Sequence, residues 1–226
     1  MGKTRIITAD MAAKLIKSNM TIMIGGFMTN GTPKEVLKMV EASAVGQLTI
    51  ICNDAGYEDS GTGRLIHNGQ VKKLIASHIG LNKECGQLYL DGRLELVLQP
   101  QGTLAEQIRA AGAGLGGILT PVGVGTAVAK GKELLKVDGK EYLLEKPLRA
   151  DVAVIQGYVA DETGNIRYCG TMRNFNTVMA TAADIVIAEV ETILPPGEIG
   201  PEYVETAGIF VDYLVESGKG VSLCRS

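Results

Sequence analysis

Residues 21–35 read Thr21-Ile22-Met23-Ile24-Gly25-Gly26-Phe27-Met28-Thr29-Asn30-Gly31-Thr32-Pro33-Lys34-Glu35. The apolar run at 21–24 is typical of a strand buried on both faces of a parallel sheet. Residues 25–31 are rich in glycine and predict a tight loop. Thr32 is predicted to cap a helix, with Pro33 at its first position and Glu35 completing a capping box with Thr32. The segment therefore predicts a strand, a glycine-rich loop and a helix in succession.

The rest of the chain repeats this alternation of apolar runs and helical patterns. Strands are predicted at 21–24, 47–52, 71–77, 94–98, 151–156 and 184–189. Helices are predicted at 9–17, 33–43, 104–111 and 175–182. Strand and helix in alternation indicate an α/β fold with a largely parallel sheet flanked by helices.

The segment 132–145 interrupts this alternation. Its Val137-Asp138-Gly139-Lys140 sequence predicts a hairpin turn, because Asp-Gly adopts positive φ at little cost. We expect a small antiparallel hairpin excursion on the main sheet. No internal repeat, low-complexity stretch or long linker divides the chain, so residues 1–226 are predicted to form a single domain.

The composition excludes several classes of function. The 226 residues are 46% hydrophobic and carry a net charge of −3, with no basic stripe for nucleic acid or an anionic membrane. No apolar run approaches the ~20 residues of a membrane-spanning helix, and the N-terminus does not resemble a signal peptide. The four cysteines are widely spaced, with no C-x-x-C pair, which favours reduced thiols and argues against a metal site. We expect a cytoplasmic protein without bound metal.

The glycine-rich loop has two interpretations. Glycine lets a backbone approach a ligand closely, and a helix N-terminus offers free N–H groups to an anion. An extended anionic ligand such as a pantetheine-linked nucleotide would suit such a loop. A tight turn without any ligand explains the same residues equally well.

A family resemblance favours the first interpretation. The run Ile22-Met23-Ile24-Gly25-Gly26-Phe27-x-x-x-Gly31-x-Pro33 is similar to the signature of the alpha subunits of family I (3-oxoacid) CoA-transferases. That family includes acetate and butyrate–acetoacetate CoA-transferases. Ser18-Asn19 departs from the family pattern, but it precedes the strand and lies away from the loop.

The resemblance extends over nearly the whole chain. Asn53-Asp54 resembles the asparagine-containing end of the family's second strand. Further similar segments follow in the family's order, at residues 100–109, 112–117, 120–126 and 173–176.

The resemblance implies roles for particular residues. Gln101 would polarise the thioester carbonyl at a shared active site, and Asn53 would add a polar contact. The loop would bind coenzyme A, which is a substrate here and not a permanently bound cofactor. Its residues in that role are Ile24, Gly25, Gly26, Phe27, Met28, Thr29 and Asn30.

The resemblance also implies a partner. The family transfers CoA through a glutamyl-CoA thioester, and the glutamate belongs to the beta subunit in a Glu-x-Gly context. The Glu-x-Gly triplets of this chain, at 84–86 and 198–200, lie outside the family's setting for that nucleophile. We therefore expect an alpha2–beta2 assembly that moves CoA between short-chain acyl-CoA and carboxylic acids by ping-pong kinetics.

Other functions remain as alternatives. A sugar-phosphate isomerase shares this fold class, but it would need a cation in its phosphate loop, and residues 25–31 contain none. A non-catalytic module that binds acyl-CoA is the other alternative. The glycines at 112–117 match a dinucleotide-binding pattern by letters, but a predicted helix precedes them where a strand is required. The sequence does not determine which two acids exchange CoA, and acetate, acetoacetate and butyrate are the candidates.

Overall fold

The computed structural model describes residues 4–218. The strands in this range are β1 Arg5–Ile6, β2 Thr21–Ile24, β3 Leu48–Ile51, β4 Val71–Ala76, β5 Glu95–Leu98, β6 Ile118–Thr120, β7 Glu133–Val137, β8 Lys140–Glu145, β9 Ala150–Gln156, β10 Val159–Asp161, β11 Ile166–Arg167, β12 Ala183–Val190, β13 Thr192–Leu194 and β14 Tyr213–Glu216. The α-helices in the same range are α1 Ala9–Ala13, α2 Lys34–Glu41, α3 Thr62–His67, α4 Lys83–Leu90, α5 Gln101–Gly112 and α6 Asn176–Met179.

The main sheet has eight strands in the order β1-β14-β12-β9-β2-β3-β4-β5, and every neighbouring pair is parallel. From β2 the chain adds β3, β4 and β5 on one side, and β9 later pairs on the other side of β2. The strand order therefore reverses between β2 and β9. In open parallel sheets ligands bind at the carboxyl ends of the strands at such a reversal.

Helices cover both faces of the sheet, as the continuous apolar strands require. Ile22 and Ile24 of β2 pack into a core with α1, α2 and α3. Met23, between them, points to the opposite core, which includes Leu104 and Ile108 of α5. Successive side chains of one strand thus supply both cores, since side chains alternate across a strand.

Two small sheets extend from the main one. The predicted hairpin is confirmed as the antiparallel pair β7–β8, but its position on the main sheet is wrong. β8 also pairs with β6, which gives a separate three-stranded sheet in the order β6-β8-β7. Strands β10, β11 and β13 form the other small sheet. Short strands like these carry little sequence signal of which sheet they join.

The predicted strands and helices are all present, with shifted ends. The strands agree to within one or two residues. α1 and α6 are shorter than predicted, and α5 begins at Gln101, three residues before the predicted start. The helices α3 and α4 were not predicted.

Within residues 4–218, no helix is long and apolar enough to cross a membrane. Cys52 and Cys85 are free and buried. Cys169 is disulfide-bonded, so the expectation of reduced thiols is wrong for this residue. Cys224 lies outside the described residues.

Candidate functional site

Polar side chains gather at the carboxyl ends of the central strands. The glycine-rich loop follows β2, Asn53 and Asp54 follow β3, and Ser77 follows β4. Gln101 is the first residue of α5, and two residues separate it from the end of β5. Because all these strands are parallel, their carboxyl ends lie along one edge of the sheet. The two predicted parts of the site, loop and amides, are therefore neighbours.

Gln101 and Asn53 are in direct contact. Gln101 Nε2 donates to Asn53 Oδ1 at 2.7 Å. Ser77 Oγ donates to the backbone oxygen of Asn53 at 2.7 Å and to its Oδ1 at 3.1 Å. Asn53 is buried, with 2% of its surface exposed, whereas Gln101 is exposed to solvent. Gln101 is therefore the member of this pair that can meet a substrate.

Asp54 links this amide pair to the glycine-rich loop. Its Oδ2 accepts from Met28 N at 2.9 Å and from Asn53 Nδ2 at 2.7 Å, while its Oδ1 accepts from Gly56 N at 2.9 Å. The residue is 7% exposed. A buried carboxylate is tolerated where several N–H groups donate to it. One side chain thus ties together the loop, the end of β3 and the Asn53–Gln101 pair.

The tip of the loop is a tight two-residue turn. The backbones of Phe27 and Asn30 exchange hydrogen bonds of 3.0 and 2.9 Å. Met28 and Thr29 between them have φ of 48° and 71°. A turn with positive φ at both central residues normally has Asn and Gly there. Met28 and Thr29 therefore adopt an unfavourable backbone conformation, which costs ~1 kcal/mol for each residue. Strain of this kind is retained where surrounding contacts enforce it, as Asp54 does at Met28 N.

Two asparagines hold the loop from the other side. Asn174 Nδ2 donates to the backbone oxygen of Asn30 at 3.0 Å. Asn176, which is 0% exposed, donates from Nδ2 to the backbone oxygen of Gly31 at 2.9 Å and accepts at Oδ1 from Gln156 N at 2.9 Å. Asn176 therefore links the loop after β2 to the end of β9, the two strands between which the strand order reverses.

The packing explains why the loop contains glycine. A methyl group at Gly25 would overlap Asn176 Oδ1, and one at Gly26 would overlap Thr32 Oγ1. Gly26 and Gly31 also have φ of 118° and 75°, which favour glycine. A cavity of about 10 Å³ behind the loop has room for about one water molecule. These glycines serve close packing of the loop, and only residues 27–30 face outward.

The start of helix α2 differs from the prediction. Its N-cap is Pro33, which has no side-chain capping bond, so the capping box of Thr32 and Glu35 is wrong. Glu189, at the end of β12 and 1% exposed, takes this place, with Oε2 accepting from Val36 N at 2.9 Å. Burial raises the pKa of Glu189 above its ordinary value, and hydrogen bonds from the backbone of α2 oppose that rise. The helix terminus predicted to be open to an anionic ligand is therefore occupied.

Cys52 is the thiol beside the loop. Its Sγ donates to the backbone oxygen of Asp54 at 3.0 Å. Burial raises the pKa of this thiol well above its ordinary value of 9.0. A thiol of this kind is inert as a nucleophile, because the thiolate is the reactive form.

The structure places the predicted site residues as follows. Gln101 and Asn53 are together, and Asp54 connects both to Met28 in the loop. Ile24 belongs to the hydrophobic core. Gly25 and Gly26 are buried, and Phe27 and Met28 are each 41% exposed. Neither Glu-x-Gly glutamate lies in this cluster: Glu84 pairs with His67 at 3.0 Å on the surface, and Glu198 lies in an exposed loop.

Three further residues shape the site. Asp54 and Asn176 stand within the segments that carried the family resemblance, so that resemblance was the available signal for both. Glu189 had a weaker signal, a charged residue at the end of a buried apolar strand. Within residues 4–218, no group of three or more histidine, cysteine, aspartate or glutamate side chains could hold a metal ion.

Sequence comparison identifies relatives over nearly the full chain. The chain is 48% identical over 215 residues to the alpha subunit of the acetate CoA-transferase of Escherichia coli strain K12, covering 95% of this chain and 98% of the relative. It is 47% identical over 213 residues to the acetoacetyl-CoA:acetate/butyrate CoA transferase alpha subunit of Clostridium acetobutylicum, covering 94% and 98%. One chain of the succinyl-CoA:3-ketoacid coenzyme A transferase of Helicobacter pylori strain J99 is 41% identical over 216 residues, covering 95% and 93%.

Solved structures share the fold. Glutaconate coenzyme A-transferase from Acidaminococcus fermentans superposes with a TM-score of 0.84 at 21% identity, covering 95% of this chain and 76% of that one. An acyl-CoA transferase from Escherichia coli O157:H7 gives 0.84 at 24% identity, covering 95% of this chain and 47% of that one. At these identities the likeness shows the fold alone.

The family of the chain follows from the sequence match. The coenzyme A transferase family matches residues 6–217, and the named relatives are CoA-transferases. The resemblance predicted from the motifs is confirmed. The chain belongs to the coenzyme A transferase family and is an enzyme of the CoA-transferase type, of the same kind as family I alpha subunits.

Proposed function

We propose that this chain is the alpha subunit of a heteromeric enzyme that moves CoA between a short-chain acyl-CoA and a carboxylic acid. The partner beta subunit supplies the nucleophilic glutamate, and two of each subunit assemble. The observation that carries the proposal is Gln101, an exposed amide held by a buried partner, Asn53, at the carboxyl edge of a parallel sheet. The relatives named as alpha subunits of acetate and acetate/butyrate enzymes support the substrate class.

The proposed reaction has two matched halves. The partner's glutamate carboxylate attacks the acyl-CoA carbonyl, the C–S bond breaks, and an acyl–glutamyl anhydride and CoA thiolate form. The thiolate then attacks the glutamyl carbonyl and expels the first carboxylate, which leaves a glutamyl-CoA thioester. The incoming acid reverses these steps and departs as the new acyl-CoA. No net proton is consumed, since one carboxylate replaces another.

Gln101 acts on the charge that develops in these steps. Each attack on a carbonyl forms a tetrahedral oxyanion, which a neutral N–H donor stabilises without requiring a proton transfer. A primary amide carries two N–H bonds, and Gln101 Nε2 uses one toward Asn53. The second is available to the oxyanion. Asn53 contributes as the group that holds Gln101.

The outer face of the loop, residues 27–30, is the part we propose to contact CoA. Phe27 and Met28 are the exposed apolar side chains here, and they suit the pantetheine arm better than a phosphate. Gly25 and Gly26 support this face from beneath, and Ile24 anchors it in the core. Since Glu189 occupies the start of α2, the phosphates of CoA must bind elsewhere in the assembly.

The decisive experiment locates the covalent intermediate. The chain alone, the partner alone and the mixture are incubated with acetyl-CoA and then analysed as intact subunits by mass spectrometry. We expect a CoA adduct on the partner subunit in the mixture and none on this chain. Peptide mapping then identifies the modified glutamate. An adduct on this chain, or CoA exchange by this chain free of any partner, would contradict the proposal.

The two alternative functions make different predictions in the same assays. A sugar-phosphate isomerase needs a phosphate site, and the outward loop residues 27–30 carry no cation while Glu189 fills the adjacent helix terminus. These contacts disfavour it. A non-catalytic acyl-CoA-binding module would bind acyl-CoA by itself and form no adduct with any partner.

A further inference from the structure

We propose that Asp54 is a positioning residue that sets the direction of the Asn53 and Gln101 side-chain amides, so that Gln101 presents N–H and not C=O to the reacting carbonyl. The inference rests on the proposed role of Gln101 in CoA transfer. It assigns to Asp54 a part in the reaction although its carboxylate does not touch the substrate.

Asp54 accepts hydrogen bonds at both of its carboxylate oxygens. Each of its carboxylate oxygens receives an N–H group, from Met28 and Asn53 on Oδ2 and from Gly56 on Oδ1. An ionised carboxylate has only acceptor sites. With Asp54 7% exposed, water cannot easily substitute for these donors. Any group placed against Asp54 Oδ2 must therefore be a donor.

Asp54 determines the orientation of the Asn53 side-chain amide. A primary amide has a donor end and an acceptor end, and rotation by 180° about its last bond exchanges them. Asn53 must turn its NH₂ toward Asp54, because turning its oxygen there would oppose two acceptors. Its Oδ1 consequently faces Gln101, at 2.7 Å from Gln101 Nε2. Asn53 is 2% exposed, so a flipped state would gain no compensating water.

The Asn53 amide in turn determines the orientation of the Gln101 side-chain amide. Opposite the acceptor Asn53 Oδ1, only the NH₂ end of Gln101 makes a favourable contact. Within residues 4–218, the Gln101 side chain forms no other hydrogen bond, so Asn53 alone sets its direction. Gln101 thus donates to Asn53, and Asn53 donates to Asp54. Of these three groups, only the Asp54 carboxylate has no donor end that a flip could expose.

Ser77 cannot take over this function. Its hydroxyl also contacts Asn53 Oδ1, at 3.1 Å. A hydroxyl has one hydrogen and also accepts, so Ser77 can donate to Asn53 Oδ1 or, while it donates to the Asn53 backbone oxygen at 2.7 Å, accept from a flipped Asn53 NH₂. It would therefore tolerate either orientation of the Asn53 amide. The carboxylate is therefore the source of the direction.

The Asp54 carboxylate also contacts the loop, so its loss should have two effects, one on KM and one on kcat. Asp54 Oδ2 accepts from Met28 N in the strained turn that we propose to contact CoA. Loss of this contact is expected to weaken CoA binding and raise KM. Loss of the amide direction is expected to lower kcat, because an oxygen would then face the developing oxyanion.

The test is a double-mutant cycle on the enzyme co-expressed with its partner subunit. Asp54→Asn is nearly isosteric but allows either amide orientation at Asn53. We expect it to lower kcat by about tenfold or more, approaching the loss in Gln101→Ala. In the Gln101→Ala background, the same change should alter kcat less than ~twofold, since the two act through one group. Asp54→Glu retains an acceptor-only group and should keep several-fold more kcat than Asp54→Asn.

Asp151 provides a matched control for Asp54. Asp151 also accepts a backbone N–H of β2, from Thr21 N at 2.7 Å, but at the opposite end of the strand. Asp151→Asn should leave kcat unchanged. Wild-type kcat in Asp54→Asn, an undiminished effect in the Gln101→Ala background, or Asp54→Glu performing no better than Asp54→Asn would overturn the inference. Normal kcat in Gln101→Ala would instead overturn the proposed role of Gln101.

Discussion

Glu189 caps the helix that follows the glycine-rich loop: its Oε2 lies 2.9 Å from Val36 N, although the two residues are 153 positions apart. The first N–H groups of a helix lack partners within the helix and attract anions. Here the protein supplies the anion from the end of β12. A ligand can therefore contact the outer face of the loop but not the N–H groups at the start of α2. Loops that bind phosphate at a helix terminus leave those N–H groups open to the ligand.

The pH dependence of stability tests the environment of Glu189. Burial raises the pKa of its carboxyl above the ordinary value of 4.5, so the folded state binds this proton more tightly than the unfolded state. The contribution of Glu189 to the free energy of unfolding is thus fully present below pH ~4.5 and is lost as pH rises through the raised pKa. We expect Glu189→Gln to remove this decline, measured by urea unfolding across pH 4–8.

A truncation separates the capping contact from the charge. Glu189→Ala leaves backbone N–H groups of α2 buried without a partner and should cost about 1–3 kcal/mol at pH 7. Glu162→Ala, the same truncation at an exposed residue, should change neither stability nor its pH dependence. A Glu189→Ala protein as stable as the wild type would show that water satisfies the helix start.

The packing of Gly25 against Asn176 predicts a severe effect of one methyl group. Gly25→Ala places Cβ onto Asn176 Oδ1 and should lower the free energy of unfolding by at least about 2 kcal/mol. Gly46→Ala, where a Cβ meets nothing within 4 Å, should stay within about 0.5 kcal/mol of wild type. In an Asn176→Ala background the cost of Gly25→Ala should shrink, and additive costs would mean that another contact is responsible.

Asn176 must donate from one end and accept at the other. Asn176→Asp puts a carboxylate oxygen against the backbone oxygens of Gly31 and Met172, which now receive hydrogen bonds of 2.9 and 2.7 Å. We expect a loss of about 3 kcal/mol or more at pH 7. The loss should diminish toward pH 4, where a protonated aspartate can donate again. Asn19→Asp on an exposed turn is the matched comparison, and a pH-independent loss at position 176 would refute the proposed cause.

Turnover measurements test the role of Gln101. Gln101→Ala should lower kcat by ~10²-fold, the scale observed when one oxyanion donor is removed, with a much smaller change in KM. Gln87→Ala removes a glutamine side chain that bonds only to Asp91 among the described residues and should have wild-type kinetics. A Gln101→Ala enzyme with a lower melting temperature but normal kcat per folded molecule would make Gln101 a structural residue.

Local sequence determined the elements and their order. The apolar run Thr21–Ile24, the glycines after it and the following helix are recognisable because strand burial, tight turns and helix propensity depend on neighbours in the chain. Asn53 and Gln101 could be predicted as candidate site residues because their segments resemble those of a known family. Their contact at 2.7 Å is consistent with parallel strand ends that share an edge.

Only the tertiary structure decided which groups satisfy the loop and the helix. Thr32 and Glu35 have the residue types of a capping box, yet Glu189 makes the bond, because capping depends on whichever acceptor the sheet order brings to the helix start. Gly25 suggested a ligand-binding loop, but its lack of a side chain makes room for Asn176. Asn176 is about as far from Gly25 along the chain as Glu189 is from Val36. Hydrogen bonding and close packing act between neighbours in space, and the order β12-β9-β2 brings Glu189 and Asn176 to the loop and helix that follow β2.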